Sequence, residues 1–340
     1  MSIDPPVVNT EGIEPWKWDD RYDFPRDLVG YGSSSHNPQW PANNKIAVSF
    51  VLNYEEGGEH TVLNGDLHSE THIREGGAGG APKILERNVQ VESEYEYGSR
   101  VGVWRIFRLF EKVGWPLTLY AVGMALEKNP AVARESVRLG FDVASHAYRW
   151  IDYHSMPAEE EKEMIRKGVE CITELCGEAP AGWYYGRGSP RSQALVWEVY
   201  REMGLELRWY SDSYADDVPY WVDVPAEKEE EAPKGLLIVP YSYDCNDFRF
   251  SVNNGFAGPS DFYEHLKNAF DVLYEEGQNG MPKMMTIGLH CRVVGKPGRF
   301  AALKKFVEYI GEKEGVWVTT RTAIADHFRE TFPYKKGLLA

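Results

Sequence analysis

The residues of this 340-residue chain that could do chemistry fall at one kind of position, just where a short apolar run is about to end. The first run delivers Asn53, Glu55 and Glu56, then Gly57-Gly58. Later runs deliver His146 with Arg149 and Trp150, Trp183 and Tyr184 with Arg187, Asp212 with Asp216 and Asp217, Asp244 with Asn246 and Asp247, and His290 with Arg292. Hydrolysis of an amide needs a base to activate water, an acid for the leaving nitrogen and a stabiliser for the oxyanion. Glu55 or Glu56 can be the base and His290 the acid. A metal, Arg187 or backbone N–H groups could hold the oxyanion. The apparatus of rival reactions is missing: the chain has no Gly-x-Gly-x-x-Gly, no phosphate loop and no Gly-x-Ser-x-Gly elbow.

Those apolar runs predict the elements that must position the site. Residues 45–54, 116–122, 141–146, 181–186, 207–214, 236–242, 283–290 and 316–321 are near-continuously apolar, as strands buried on both faces are. Amphipathic stretches lie between them. Ile165, Val169, Ile172 and Cys176 share one face of 158–177, and similar faces run through 262–273 and 299–314. Gly114, Gly140, Gly177 and Gly204 read as helix C-caps. The alternation predicts an α/β fold: a distorted (β/α) barrel of about seven parallel strands, with the strand ends gathered at one mouth. Residues 1–44 read as an irregular arm packed on the barrel, 45–332 as one catalytic domain and 333–340 as a tail. Two long segments, the Gly-rich insertion 57–98 and the charged 223–235, read as loops over the mouth.

Composition narrows the partners. With 37 basic and 52 acidic side chains the net charge is −15, which disfavours nucleic acid and anionic membranes. No apolar stretch is long enough to span a membrane. The polar N-terminus does not read as a signal peptide, and four unpaired-looking cysteines suit a reducing compartment, so a cytoplasmic location is expected. The 11 Trp and 20 Tyr suggest a ring-lined pocket for a small molecule.

At these residues the chain resembles the polysaccharide deacetylase (NodB-homology) superfamily. Asn53-Tyr54-Glu55-Glu56-Gly57 stands where that family has its acidic pair, and GFDVASHAYRW (140–150) where it has its histidine motif. Arg187 matches the family arginine and His290 the last histidine. VLNYEEGGE (51–59), SRVGVWRIFRLF (99–110), HAYRWIDY (146–153), GWYYGR (182–187), DSYADDVPYW (212–221) and GLHCRVVGKPGR (288–299) look like the metal-independent allantoinase branch, with RDLVGYG (26–32) like its arm.

The resemblance implies a hydrolase of a cyclic ureide such as allantoin. Its catalytic residues would be Glu55, Glu56, His146, Arg187 and His290, with Arg187 orienting the carboxylates. Asn53, Trp150, Trp183, Tyr184, Asp212, Asn246, Asp247 and Arg292 would bind substrate. It also implies a homo-oligomer, specifically a tetramer. The family's second metal-ligating histidine is replaced by Trp150. Only Glu56 and His146 remain, and a catalytic zinc normally has three protein ligands. No cofactor is therefore expected. The alternative is a metal-dependent deacetylase of N-acetylated polysaccharide, with zinc near Glu56 and His146 and His154 as a third ligand. His68-Ser69-Glu70-Thr71-His72 copies a metal pattern but lies in the insertion, where solvated histidines are the simpler reading.

Overall fold

The structure, a computed structural model, describes residues 16–75 and 80–337. Gly76–Gly79 of the Gly-rich insertion and the two chain ends lie outside the described residues.

Nine strands form one curled sheet. They are β1 (Ile46–Tyr54), β2 (Thr118–Ala121), β3 (Asp142–Ser145), β4 (Gly182–Trp183), β5 (Trp209–Tyr210), β6 (Tyr220–Val222), β7 (Leu236–Ile238), β8 (Lys283–His290) and β9 (Val316–Val318). Their order is β6-β7-β5-β4-β3-β2-β1-β8, with β9 beside the first half of β1. Every pairing is parallel except β6 with β7. A lone parallel bridge between Asn246 and Gly288 brings the segment after β7 against β8, so the sheet curls almost into a barrel. Seven parallel strands (β1–β5, β7 and β8) make up the wall.

The connecting helices are α1 (Val89–Tyr97), α2 (Val103–Val113), α3 (Gly123–Lys128), α4 (Pro130–Arg138), α5 (Ala158–Cys176), α6 (Ser192–Glu202), α7 (Pro259–Gln278), α8 (Pro297–Gly311) and α9 (Arg321–Thr331). The anticipated C-cap glycines 114, 140, 177 and 204 all take positive φ, the conformation that ends a helix at little cost only for glycine.

The period of two along each strand divides the side chains between two cores. Ile46, Val48, Phe50, Leu52 and Tyr54 face outward with Met285, Ile287 and Leu289, against Phe110, Phe270 and Phe306 of the helices. Ala47 and Val51 face inward, with Tyr120, Tyr184, Trp209, Tyr241 and Met284. The inward side is partly polar. Arg321, at the start of α9, reaches into the barrel fully buried and donates to Thr286 Oγ1 at 2.8 Å, Ser211 Oγ at 2.6 Å and the Pro240 carbonyl at 2.7 Å. It ties β8, β5 and the end of β7 together.

The arm residues 16–44 lie along the outside. Trp40 is buried and donates to the Lys283 carbonyl at 2.9 Å, and Arg21 pairs with Glu198 at 3.0 Å. The loop 223–235 is not where it was expected. It joins the antiparallel β6 to the start of β7, the opposite end from the mouth, and none of its residues lines the cavity described below. Its Glu227 is buried, accepting from the backbone N–H groups of Lys234 at 3.0 Å and Gly235 at 2.7 Å. The missed element was β6, whose reversal carries the charged loop to the far side.

Candidate active site

Strand parity sets the site. Asn53 and Glu55 continue the inward face of β1, whereas Glu56 continues the outward one. Register pairs Asn53 with His290 at the neighbouring end of β8. His146 follows β3 on the inward side. The residue after it, Ala147, sits at φ 64°, a left-handed conformation unusual for a side-chain-bearing residue, and such strain is found at functional sites.

Glu55 is the hub, 1% exposed. Its Oε1 lies 3.2 Å from His146 Nε2 and 3.5 Å from His290 Nε2, and its Oε2 lies 2.7 Å from Arg292 Nη1. Each imidazole is held from behind. His146 Nδ1 is 3.0 Å from the Tyr184 carbonyl, which can only accept, so Nδ1 carries a proton. His290 Nδ1 is 2.6 Å from Asp247 Oδ1, while Asp247 Oδ2 accepts from the backbone N–H of His290 at 2.8 Å and of Val294 at 3.0 Å.

The electrostatics follow from this packing. Burial alone would push the Glu55 carboxyl up, but Arg292, His290 and His146 outweigh it and hold it well below the usual range. Burial would lower His290. Glu55 and Asp247 outweigh that and raise it to about 9, so the ring is an imidazolium at neutral pH. Burial pushes Glu56 up to about 7, opposed by Arg292 and reinforced by Glu55. The acidic pair is thus split into an ionised Glu55 facing the cavity and, behind it, a Glu56 whose ionisation burial resists and whose Oε2 accepts from the Glu55 backbone N–H at 3.0 Å.

The cavity holds about 440 Å³, near the lower end for small-molecule sites. Of the anticipated residues, Asn53, Glu55, His146, His290, Trp150, Tyr184, Arg187 and Asn246 line it. Asn53 and Asn246 are fixed by donating to Tyr241 Oη at 2.9 and 3.3 Å.

Other residues stand elsewhere. Trp183 points outward on β4, fully buried against Tyr185 and Tyr200, so it packs the core and cannot meet substrate. Asp212 also faces away, accepting from the backbone N–H groups of Tyr185 at 2.8 Å and Gly186 at 2.6 Å. Asp247 and Arg292 act from behind His290 and Glu55. Arg187 does not touch the Glu55–Glu56 pair. It donates to Glu70 Oε2 of the insertion at 2.9 Å and lies over the Trp150 ring at 4.8 Å. The guanidinium on the carboxylates is that of Arg292.

The wall residues were not singled out from sequence, although the insertion was expected over the mouth. Thr71–Arg74 of the insertion line one side of the cavity, and Tyr241, Tyr243 and Phe248 the other. A single π-helical turn, Gly98–Gly102, carries α1 into α2 and explains the glycines that bracket SRV. A Cβ at Gly98 would lie 2.3 Å from Glu56 Oε1, and one at Gly102 2.0 Å from the Cys291 carbonyl oxygen.

The donor set does not suit a catalytic zinc. Arg292 Nη1 sits against both carboxylates, at 2.7 Å from Glu55 and 3.4 Å from Glu56. Its guanidinium stacks over Tyr95 at 4.1 Å and over Trp150 at 5.2 Å. Position 150, a metal-ligating histidine in the wider family pattern, therefore carries the ring that supports a fixed cation. His154 is exposed, with its backbone N–H on Asp152. His68 and His72 diverge: His68 lies tilted against the His60 ring at 4.4 Å, whereas His72 stands at the cavity edge. Among the described residues, the ligand atoms of His, Cys, Asp and Glu come within 4.8 Å of one another as a group of three only at Asp244, Cys245 and His265. That group lies outside this cavity and already holds Arg249 Nη1, 2.9 Å from Asp244 and 3.3 Å from His265 Nε2.

Comparison with known proteins agrees with this architecture. The polysaccharide deacetylase family profile matches residues 90–207. A Schizosaccharomyces pombe protein carrying the provisional name polysaccharide deacetylase is 49% identical over 315 residues, covering 91% of this chain and 98% of its own. The crystal structure of PuuE allantoinase superposes with a TM-score of 0.84 at 47% identity, over 92% of this chain and all of that one. A Pseudomonas aeruginosa PAO1 structure, again provisionally named polysaccharide deacetylase, gives 0.85 at 44% identity with the same coverage. Among the described residues no helix is long and apolar enough to cross a membrane. With the fold and these relatives in agreement, the chain belongs to the polysaccharide deacetylase (NodB) family, and is a hydrolase of carbon–nitrogen bonds other than peptide bonds.

Proposed function

We propose that the chain opens a cyclic ureide, allantoin or a close relative, by attack of water on a ring carbonyl. One observation carries this reading: Arg292, braced by Trp150 and Tyr95, supplies a fixed positive charge at the carboxylate pair, so the two imidazoles on Glu55 are left free for proton transfer. The likeness to PuuE allantoinase over nearly the whole chain supports the same substrate class.

In this mechanism water binds beside the Glu55–His146 pair. The two heavy atoms stand 3.2 Å apart, and with His146 Nδ1 protonated towards Tyr184 the pair has room for one more proton between them. Water gives that proton to the pair as its oxygen bonds to the carbonyl carbon. The His290 imidazolium passes its Nε2 proton to the ring nitrogen as the C–N bond breaks, while Asp247 holds the ring in place. The wall formed by Thr71–Arg74 and the cavity of about 440 Å³ suit a small ring better than a long glycan.

The test is an assay of purified protein with allantoin, with and without a chelator. Ring opening that survives chelation, and is lost in Glu55→Gln and His290→Ala, is expected. The second reading, deacetylation of N-acetylated glycans, is favoured by the names of the S. pombe and P. aeruginosa relatives. Acetate release from chitin oligomers or peptidoglycan, abolished by chelator, would establish it instead.

A further inference from the structure

Among the described residues, two guanidinium groups line this cavity and another stands behind Glu55, and two of the three are matched by carboxylates. Arg292 is held by Glu55 and Glu56, and Arg187 by Glu70. The third, Arg74, has no such partner. It is 8% exposed and lines the cavity, yet no ion pair or hydrogen bond joins it to another described residue, and its Nε has no partner at all. Gly80 packs directly on the guanidinium, since a Cβ there would lie 2.0 Å from Nη2. A nearly buried guanidinium with no counter-charge thus stands at the cavity wall, its Nε unpaired and out of water, an arrangement that an anionic ligand in the cavity would complete.

We infer that Arg74 is the anion subsite of the cavity, receiving the acyl oxygens of the ligand and holding the carboxylate that C–N hydrolysis creates. This rests on, and sharpens, the proposed ring opening. Cleavage breaks the ring C–N bond and forms a C–O bond. The neutral ring becomes a ureido acid: its nitrogen takes up a proton and its carboxyl loses one. A new anion then appears in a pocket where Glu55 is already negative. A planar guanidinium is the side chain best shaped to take a carboxylate through two parallel hydrogen bonds. The ligand class is accordingly a small ureido carboxylate and its cyclic precursor, and Arg74 discriminates between them by charge.

The experiment is calorimetric titration of the wild type, Arg74→Gln and Arg74→Lys with three probes: hydantoate, an open ureido carboxylate; hydantoin, its uncharged ring; and acetate. Equal melting temperatures establish that the variants are folded. Hydantoate affinity is expected to fall about tenfold or more in Arg74→Gln and to recover in part in Arg74→Lys, while hydantoin affinity changes less than about threefold. Undetectable binding of both anions to the wild type, equal affinity of all three proteins for both anions, or parallel loss of both ureide probes would overturn the assignment. If only acetate depends on Arg74, the anion subsite stands and the ring-opening reading falls. If hydantoate depends on Arg74 but allantoin is not turned over, the subsite again stands and the choice of ring is wrong.

Discussion

Glu55 and Glu56 are adjacent and chemically identical, yet the fold gives them opposite tasks. Glu55→Gln should lower kcat by about 10²–10⁴-fold, the usual weight of a general acid–base group, whereas Glu56→Gln should stay within about tenfold of wild type, since its side chain faces α1 and α2. Steady-state assays at matched folding distinguish the two. The pH profile carries a second signature. His290 must be protonated to serve as the acid, so activity should decline as pH rises through about 9. Its folded pKa lies above the unfolded value of about 6.5, so its contribution to stability is complete below that value and is lost as pH climbs through about 9. Glu56 is likewise raised, from 4.5 to about 7, and the folded state resists its ionisation. Stability from this group therefore falls as pH rises across that window. Melting temperatures from pH 4 to 8 should show Glu56→Gln gaining on the wild type as pH increases; a constant difference would contradict the assignment.

At the scale of elements, the site depends on how closely the α1–α2 turn approaches the ends of β1 and β8. Gly102→Ala would drive a Cβ to 2.0 Å from the Cys291 carbonyl oxygen. A destabilisation of about 1–3 kcal/mol is expected, together with lost activity because His290 and Arg292 flank that carbonyl. Denaturant titration alongside kinetics checks both. The eight anticipated strands were legible because each is a short apolar run between turn signals. The seven-strand parallel wall followed from their alternation with helices. Strand parity was also present in the letters. Counting by twos from Ala47 puts Asn53 and Glu55 on one side and Glu56 on the other, and the same alternation separates Tyr184 in the cavity from Trp183 in the outer core. What could not be read was long-range pairing. Nothing near Arg292 or Arg187 in sequence says that the first reaches Glu55 while the second is claimed by Glu70, 117 positions away. Nor does three-residue β6 announce the reversal that takes 223–235 away from the mouth.

Across the whole molecule, Arg321 joins opposite walls of the barrel without an ion pair among the described residues, and its desolvation lowers its pKa against the opposing pull of Tyr120, Tyr241 and Asp142. Arg321→Met would leave the carbonyls of Val239 and Pro240 and the hydroxyls of Ser211 and Thr286 short of a donor. A loss of about 1–3 kcal/mol is expected from the hydrogen bonds removed; a change under about 0.5 kcal/mol by chemical denaturation would show these walls to be held by packing alone. The barrel and its insertion together confine one small cavity where a carboxylate, two imidazoles and a fixed guanidinium converge. The most direct test is carbon NMR of labelled allantoin incubated with chelator-treated protein, wild type beside Glu55→Gln. Appearance of the ring-opened ureido acid with wild type alone is the predicted result. An intact ring under both proteins, or equal opening by both, would contradict the assignment of Glu55 and its two imidazoles as the hydrolytic centre.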